Sequence, residues 1–273
     1  MLTENFDLRT ENSLGAKLKT YIQDSSDAML LKKRPLVLIC PGGGYNHLSD
    51  RESEPLAVRF LAMGYHVAVL RYSVAPAVYP TQLLELAQAM KIVHDYADEW
   101  NVLEDKIFVL GCSAGGHLAA SLGVNWNKEW LAEASGVKNE WLKPAGMILC
   151  YPVITSGEFA HRGSFEKLMA GQESDKLLET LSLEKHVSEE TPEAFVWHTA
   201  SDATVPVENS LLFVSELHKH KVSVEFHMYP VGIHGLSTAD KFSQNSDGRG
   251  IQEECQSWLP LVQTWLKARA WQE

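Results

Sequence analysis

The stretch that decides the fold is Ile107-Phe108-Val109-Leu110-Gly111-Cys112-Ser113-Ala114-Gly115-Gly116-His117-Leu118-Ala119-Ala120-Ser121-Leu122. An apolar run of strand character passes with no loop into a helical run, and a serine stands at the turn. This is the Gly-x-Ser-x-Gly elbow that exposes a nucleophile at the top of a sheet. Gly111 and Gly115 are expected where strand and helix backbones come too close for a side chain. Ser113 is expected in a strained backbone conformation, its hydroxyl pushed clear of the strand.

Working outward, strands and helices alternate, which implies α/β architecture: a mostly parallel central sheet with helices on both faces. Leu36–Cys40, His66–Leu70, Met147–Cys150 and Ala194–Trp197 read as strands buried on both faces. Ala16–Ile22 alternates apolar and polar residues and reads as an early edge strand. Val222–Met228 also alternates and reads as a last strand exposed on one face. Helices are expected over Arg51–Met63, from Tyr79-Pro80 to about Trp100, and over Glu253–Ala270, the last bent or divided at Pro260. Residues 1–273 are read as one domain. The segment 155–192 is too long for an ordinary loop and reads as a small lid or cap over the strand ends.

The chain has 273 residues, 45% of them apolar and 22% charged, with a net charge of −11. That size and apolar content suit one large core. The negative charge argues against nucleic acid or an anionic membrane as partner. The first residues carry neither a basic nor an apolar leader pattern, and no apolar run approaches the roughly 20 residues that cross a bilayer. Cys40, Cys112, Cys150 and Cys255 show no paired spacing and read as reduced thiols. A cytoplasmic location is the expectation, and a homo-oligomer is left open.

A serine hydroxyl needs a base, and the base needs an orienting acid. On an elbow of this kind the acid and then the histidine follow the serine in the chain. Asp202 lies just past the strand Ala194–Trp197, and His234 lies just past the last strand in Gly232-Ile233-His234-Gly235. Ser113, Asp202 and His234 are therefore the expected catalytic set. His198 sits on a strand end, His218 and His220 on an amphipathic helix, and His227 on a strand face, so all four are read as structural. The first buried strand ends in Pro41-Gly42-Gly43-Gly44-Tyr45, whose glycines bare their backbone N–H groups. Gly43, Gly44 and Ala114 are the expected donors to an oxyanion, and Tyr45 is a candidate substrate contact or, equally, a packing residue. The Gly-rich turn lacks the Lys-Ser/Thr ending of a phosphate loop. Only His218 and His220 lie close together, and two positions apart they do not share a helix face, so no metal is expected.

By these residues the chain resembles the α/β-hydrolase superfamily, and within it the small bacterial acetyl xylan esterases and lipase-like carboxylesterases. The resemblance is carried by Pro41-Gly42-Gly43-Gly44-Tyr45, Arg71-Tyr72-Ser73, Gly111–Ala119, Tyr151-Pro152-Val153-Ile154, Trp197-His198-Thr199 and His234-Gly235. It implies a Ser-Asp-His triad, no cofactor, and hydrolysis of short acyl esters, often acetyl groups on sugars. Pro41 stands where the lipase-like branch has histidine, which favours the acetyl-esterase branch. A small-molecule ester is the expected substrate. An amidase, aryl-formamidase or small peptidase would use the same residues, and a non-catalytic binding protein on this scaffold is the third alternative.

Overall fold

In the computed structural model, which describes residues 1–271, successive side chains of the third strand enter opposite cores. Leu36, Leu38 and Cys40 pack in one apolar cluster, Val37 and Ile39 in the other. Period-two alternation acting on a run that is apolar throughout has this outcome, and it requires helices on both faces. The chain runs β1 (Leu2–Asp7), β2 (Lys17–Ile22), β3 (Arg34–Cys40), α1 (Glu54–Ala62), β4 (His66–Arg71), α2 (Thr81–Asp95), α3 (Ala97–Trp100), β5 (Val102–Cys112) and α4 (Ala114–Asn125). It continues through α5 (Glu129–Ser135), α6 (Asn139–Leu142), β6 (Gly146–Cys150), α7 (Arg162–Met169), α8 (Asp175–Thr180), β7 (Ala194–Thr199), α9 (Glu208–Lys219), β8 (Val224–Tyr229) and α10 (Trp258–Ala270). The strands form one sheet of order β1-β2-β4-β3-β5-β6-β7-β8. The pairs β1–β2 and β2–β4 are antiparallel, and every pair from β4 to β8 is parallel. Helices α1 and α10 cover one face; α2, α4 and α9 cover the other.

Four expectations are corrected. β2 is not an edge, because β1 pairs with it along its whole length. β5 begins at Val102, five residues before its apolar part, where Arg34 pairs with Val102 ahead of a register shift. The helix expected to reach Trp100 ends at Asp95; the turn α3 follows, closed by Asn101 in the left-handed region (φ 56°), a conformation asparagine tolerates. Pro260 does not divide the last helix. The break falls at Ser257, a 3₁₀ turn occupies Glu253–Ser257, and Pro260 is the third residue of α10, where no intrahelical N–H is missed.

Chain direction across the sheet reverses between β3 and β5. Ligands of open α/β sheets gather at the carboxyl edge of such a switch point. The glycine loop leaves β3 there, and Ser113 leaves β5 beside it. No helix among the described residues is long and apolar enough to cross a membrane.

Candidate active site

Ser113 is the hinge between β5 and α4 and holds φ 54°, ψ −119°, a conformation that costs a non-glycine residue about 1–3 kcal/mol. The surrounding glycines show why the turn must be this tight. A Cβ on Gly111 would lie 2.1 Å from the Gly115 carbonyl oxygen, and one on Gly115 would lie 2.0 Å from that of Cys40. The Ser113 N–H donates to Cys150 O at 3.0 Å, and Ser113 O accepts from Val153 N–H at 3.0 Å. The serine backbone is thus pinned to the end of β6.

The three expected residues meet. The Ser113 hydroxyl lies 2.8 Å from His234 Nε2, and His234 Nδ1 lies 2.6 Å from Asp202 Oδ2. A carboxylate only accepts, so Nδ1 carries the proton and Nε2 is left to accept from the serine. Asp202 Oδ1 accepts from the N–H groups of Thr204 and Val205, each at 2.9 Å. Burial alone would raise the Asp202 carboxyl, but hydrogen bonds from His198, His234 and the Val205 N–H outweigh it and hold the group well below the usual carboxylate range. His198 is fully buried: its Nε2–H donates to Val205 O at 3.0 Å, with Asp202 Oδ2 at 3.3 Å, and its Nδ1 accepts from Ser210 Oγ at 2.8 Å. It therefore supports the acid loop without reaching the serine.

Above the serine, Gly43 (φ 129°) and Gly44 (φ 64°) turn left-handed. Their N–H groups and that of Ala114 find no protein acceptor among the described residues. Gly42 N–H donates to Glu52 Oε2 at 2.8 Å, and Glu52 Oε1 accepts from the Tyr151 hydroxyl at 2.8 Å. Tyr151 in turn accepts from Ser237 N–H at 2.9 Å, and its ring meets the His234 ring edge-on with centroids 5.2 Å apart. Arg51 donates to the Gly235 and Ser243 carbonyls. Residues 51 and 52 thus tie the glycine loop to the loop carrying His234.

Ser113, His234, Gly43 and Gly44 open into a cleft of about 400 Å³. The segment after Thr155 forms α7 and α8, and His161 and Lys167 from it line the same cleft. Asn209 Oδ1 anchors its start, accepting from the N–H groups of Ile154 and Thr155. Tyr45 does not line the cleft. Its backbone is left-handed (φ 58°) directly after Gly44, which carries the ring under the loop. There it is 1% exposed and its hydroxyl donates to His117 Nδ1 at 2.9 Å. The sequence reading passed over Glu52, Arg51, Tyr151 and His161; only Tyr151 stood in a quoted motif, without a role. Among the described residues no group of three His, Cys, Asp or Glu side chains could hold a metal ion.

Residues 25–217 match the family model BD-FAE. The chain is 34% identical to endo-1,4-beta-xylanase B of Butyrivibrio fibrisolvens, over 81% of this chain and 36% of that protein. It is 27% identical to an acetylxylan esterase of Xylanibacter ruminicola, over 81% of this chain and 44% of that protein. It thus spans less than half the length of these two relatives. Among solved structures, the acetyl ester-xyloside bifunctional hydrolase of Caldicellulosiruptor lactoaceticus superimposes with TM-score 0.80 at 37% identity, covering 93% of this chain and 88% of that one. With its elbow serine at the switch point of a mostly parallel sheet, the chain belongs to the BD-FAE family and has the α/β-hydrolase fold.

Proposed function

We propose that the protein is a serine carboxylic ester hydrolase that removes short acyl groups, acetyl foremost, from a polar alcohol such as a sugar. The observation that carries this reading is the unbroken relay Ser113–His234–Asp202, at 2.8 and 2.6 Å, beneath three unengaged backbone N–H groups. Ser113 Oγ attacks the ester carbonyl while His234 Nε2 takes its proton. Asp202 stabilises the imidazolium so formed, and the N–H groups of Gly43, Gly44 and Ala114 receive the oxyanion, each donor contributing about 3–4 kcal/mol. His234 returns the proton to the departing alcohol, and water then releases the acyl group from Ser113 by the same steps. Residues 155–192 act as a cap that walls the alcohol side within a single domain. The four buried free thiols fit a reducing, cytoplasmic setting.

The test is hydrolysis of p-nitrophenyl acetate, butyrate and octanoate, with acetate release from acetylated xylo-oligosaccharides, by wild type and Ser113→Ala. The expected outcome is acetyl turnover that falls by at least about 10⁴-fold in the variant. A folded wild type silent on every ester would end this reading and direct attention to formamides and peptides.

A further inference from the structure

Three buried or half-buried histidines surround the site, and they differ in what their ring nitrogens do. His117 has both nitrogens engaged: Nε2–H donates to Leu181 O at 2.9 Å, and Nδ1 accepts from Tyr45. His198 likewise has both engaged within the protein. His161 has one. Its Nδ1 bonds Ser164 Oγ at 2.8 Å, while Nε2 has no partner among the described residues.

The ring is nevertheless held in place. Ser164 is 1% exposed and its N–H donates to the His161 carbonyl at 3.0 Å, so the side-chain bond closes a rigid turn at the start of α7. The ring edge passes over the oxyanion loop, with Cε1 3.8 Å from where a Cβ on Gly44 would stand and 3.7 Å from that on Gly163. A Cβ at either position would stand at ordinary van der Waals distance from the ring. Burial, then repulsion from the neighbouring His234, hold the imidazole below its usual range, so it is neutral at neutral pH. A neutral imidazole with Nδ1 engaged offers a single uncharged hydrogen-bonding atom. That suits a hydroxyl better than a carboxylate or phosphate.

We propose that His161 Nε2 hydrogen-bonds a hydroxyl of the alcohol portion of the substrate, making His161 a specificity-determining residue for polyhydroxylated alcohols. This rests on the esterase reading above. The inserted segment then reads the leaving group, while the glycine loop and elbow serve the acyl carbon. An ester whose alcohol has no hydroxyl beside the scissile bond cannot make the contact. A site built to bond a substrate hydroxyl discriminates through that bond.

The experiment compares His161→Ala and His161→Gln with wild type on acetylated xylo-oligosaccharides and on p-nitrophenyl acetate, with kcat and KM separated. In His161→Ala, kcat/KM for the sugar ester is expected to fall about tenfold more than for the phenyl ester, chiefly through KM. His161→Gln, which keeps a polar atom near Nε2, is expected to recover part of that difference. Equal losses on both substrates would assign His161 a purely structural role and overturn the proposal, as would no loss on either. A wild type active on the phenyl ester but not on the sugar would overturn it while leaving the esterase reading intact. Silence of wild type on both would remove that reading and this proposal together.

Discussion

Gly43 and Gly44 are adjacent, both left-handed, and not interchangeable. A Cβ on Gly43 would stand 2.1 Å from the His47 carbonyl oxygen, backbone that cannot yield without moving the loop. A Cβ on Gly44 would meet nothing closer than 3.8 Å, so its cost is the left-handed conformation alone, about 1–2 kcal/mol. Gly43→Ala is therefore expected to displace both loop donors and lower kcat on p-nitrophenyl acetate by about 10²–10³-fold. Gly44→Ala should stay within about tenfold of wild type while melting at lower denaturant. Steady-state kinetics and urea titration of the pair decide it, and equal kcat losses would show that the clash is absorbed elsewhere. Single residues were legible where they punctuate the chain: Ser113 at a strand–helix turn, Asp202 and His234 just past strand ends. Tyr45 was left between substrate contact and packing residue because its direction depends on a backbone angle, not on its neighbours in sequence. Glu52 was invisible because its meaning lies in Gly42 and Tyr151, brought to it only by the fold.

Two buried imidazoles join elements that local sequence does not connect. His66, the first residue of β4, accepts at Nδ1 from Gln23 N–H at 3.1 Å, just beyond β2. His117, in the first turns of α4, bridges Tyr45 after β3 and Leu181 of the inserted segment. Burial pushes each of them down to about 4. The unfolded chain binds these protons near pH 6.5, so in the window from about 6.5 down to 4 it holds more protons than the native state. Stability is therefore fully present above that window and is lost as pH falls through it, by up to about 1.4 kcal/mol per pH unit for each group. Urea titrations at pH 7, 6 and 5 should show this slope, and His117→Gln should remove about half of it. An unchanged slope in the variant would assign the acid sensitivity to other groups. Elements themselves were legible where apolar periodicity is strong, as in β3, β4 and α2. β1 escaped because it carries little apolar pattern: of its six residues, only Phe6 and Glu4 are even half-buried. The first half of β5 escaped for a related reason, since Glu104 and Asp105 face solvent.

Across the whole molecule the sheet separates chemistry from support. The loops after β3, β5, β6, β7 and β8 bring the glycines, Ser113, Tyr151, Asp202 and His234 to one edge, whereas β1 and β2 lie beyond β4 at the far side. β1 contributes six paired residues and the Phe6 ring, which meets Tyr96 and Trp100 edge-on at 5.2 and 5.6 Å. None of these touches the cleft. Removing residues 1–6 should cost about 2–3 kcal/mol through the lost aromatic burial and cross-strand pairs. For a chain of this size that lowers Tm by about 5–10 °C. It also bares the edge of β2, an invitation to aggregate. Turnover of p-nitrophenyl acetate at 25 °C, measured on the soluble fraction, should stay within about twofold of wild type. A truncated protein with unchanged Tm and lost turnover would mean that the far edge is coupled to the site. A fall in Tm with turnover kept would show that the β1–β2 wing serves stability and solubility, leaving the parallel strands to carry the chemistry.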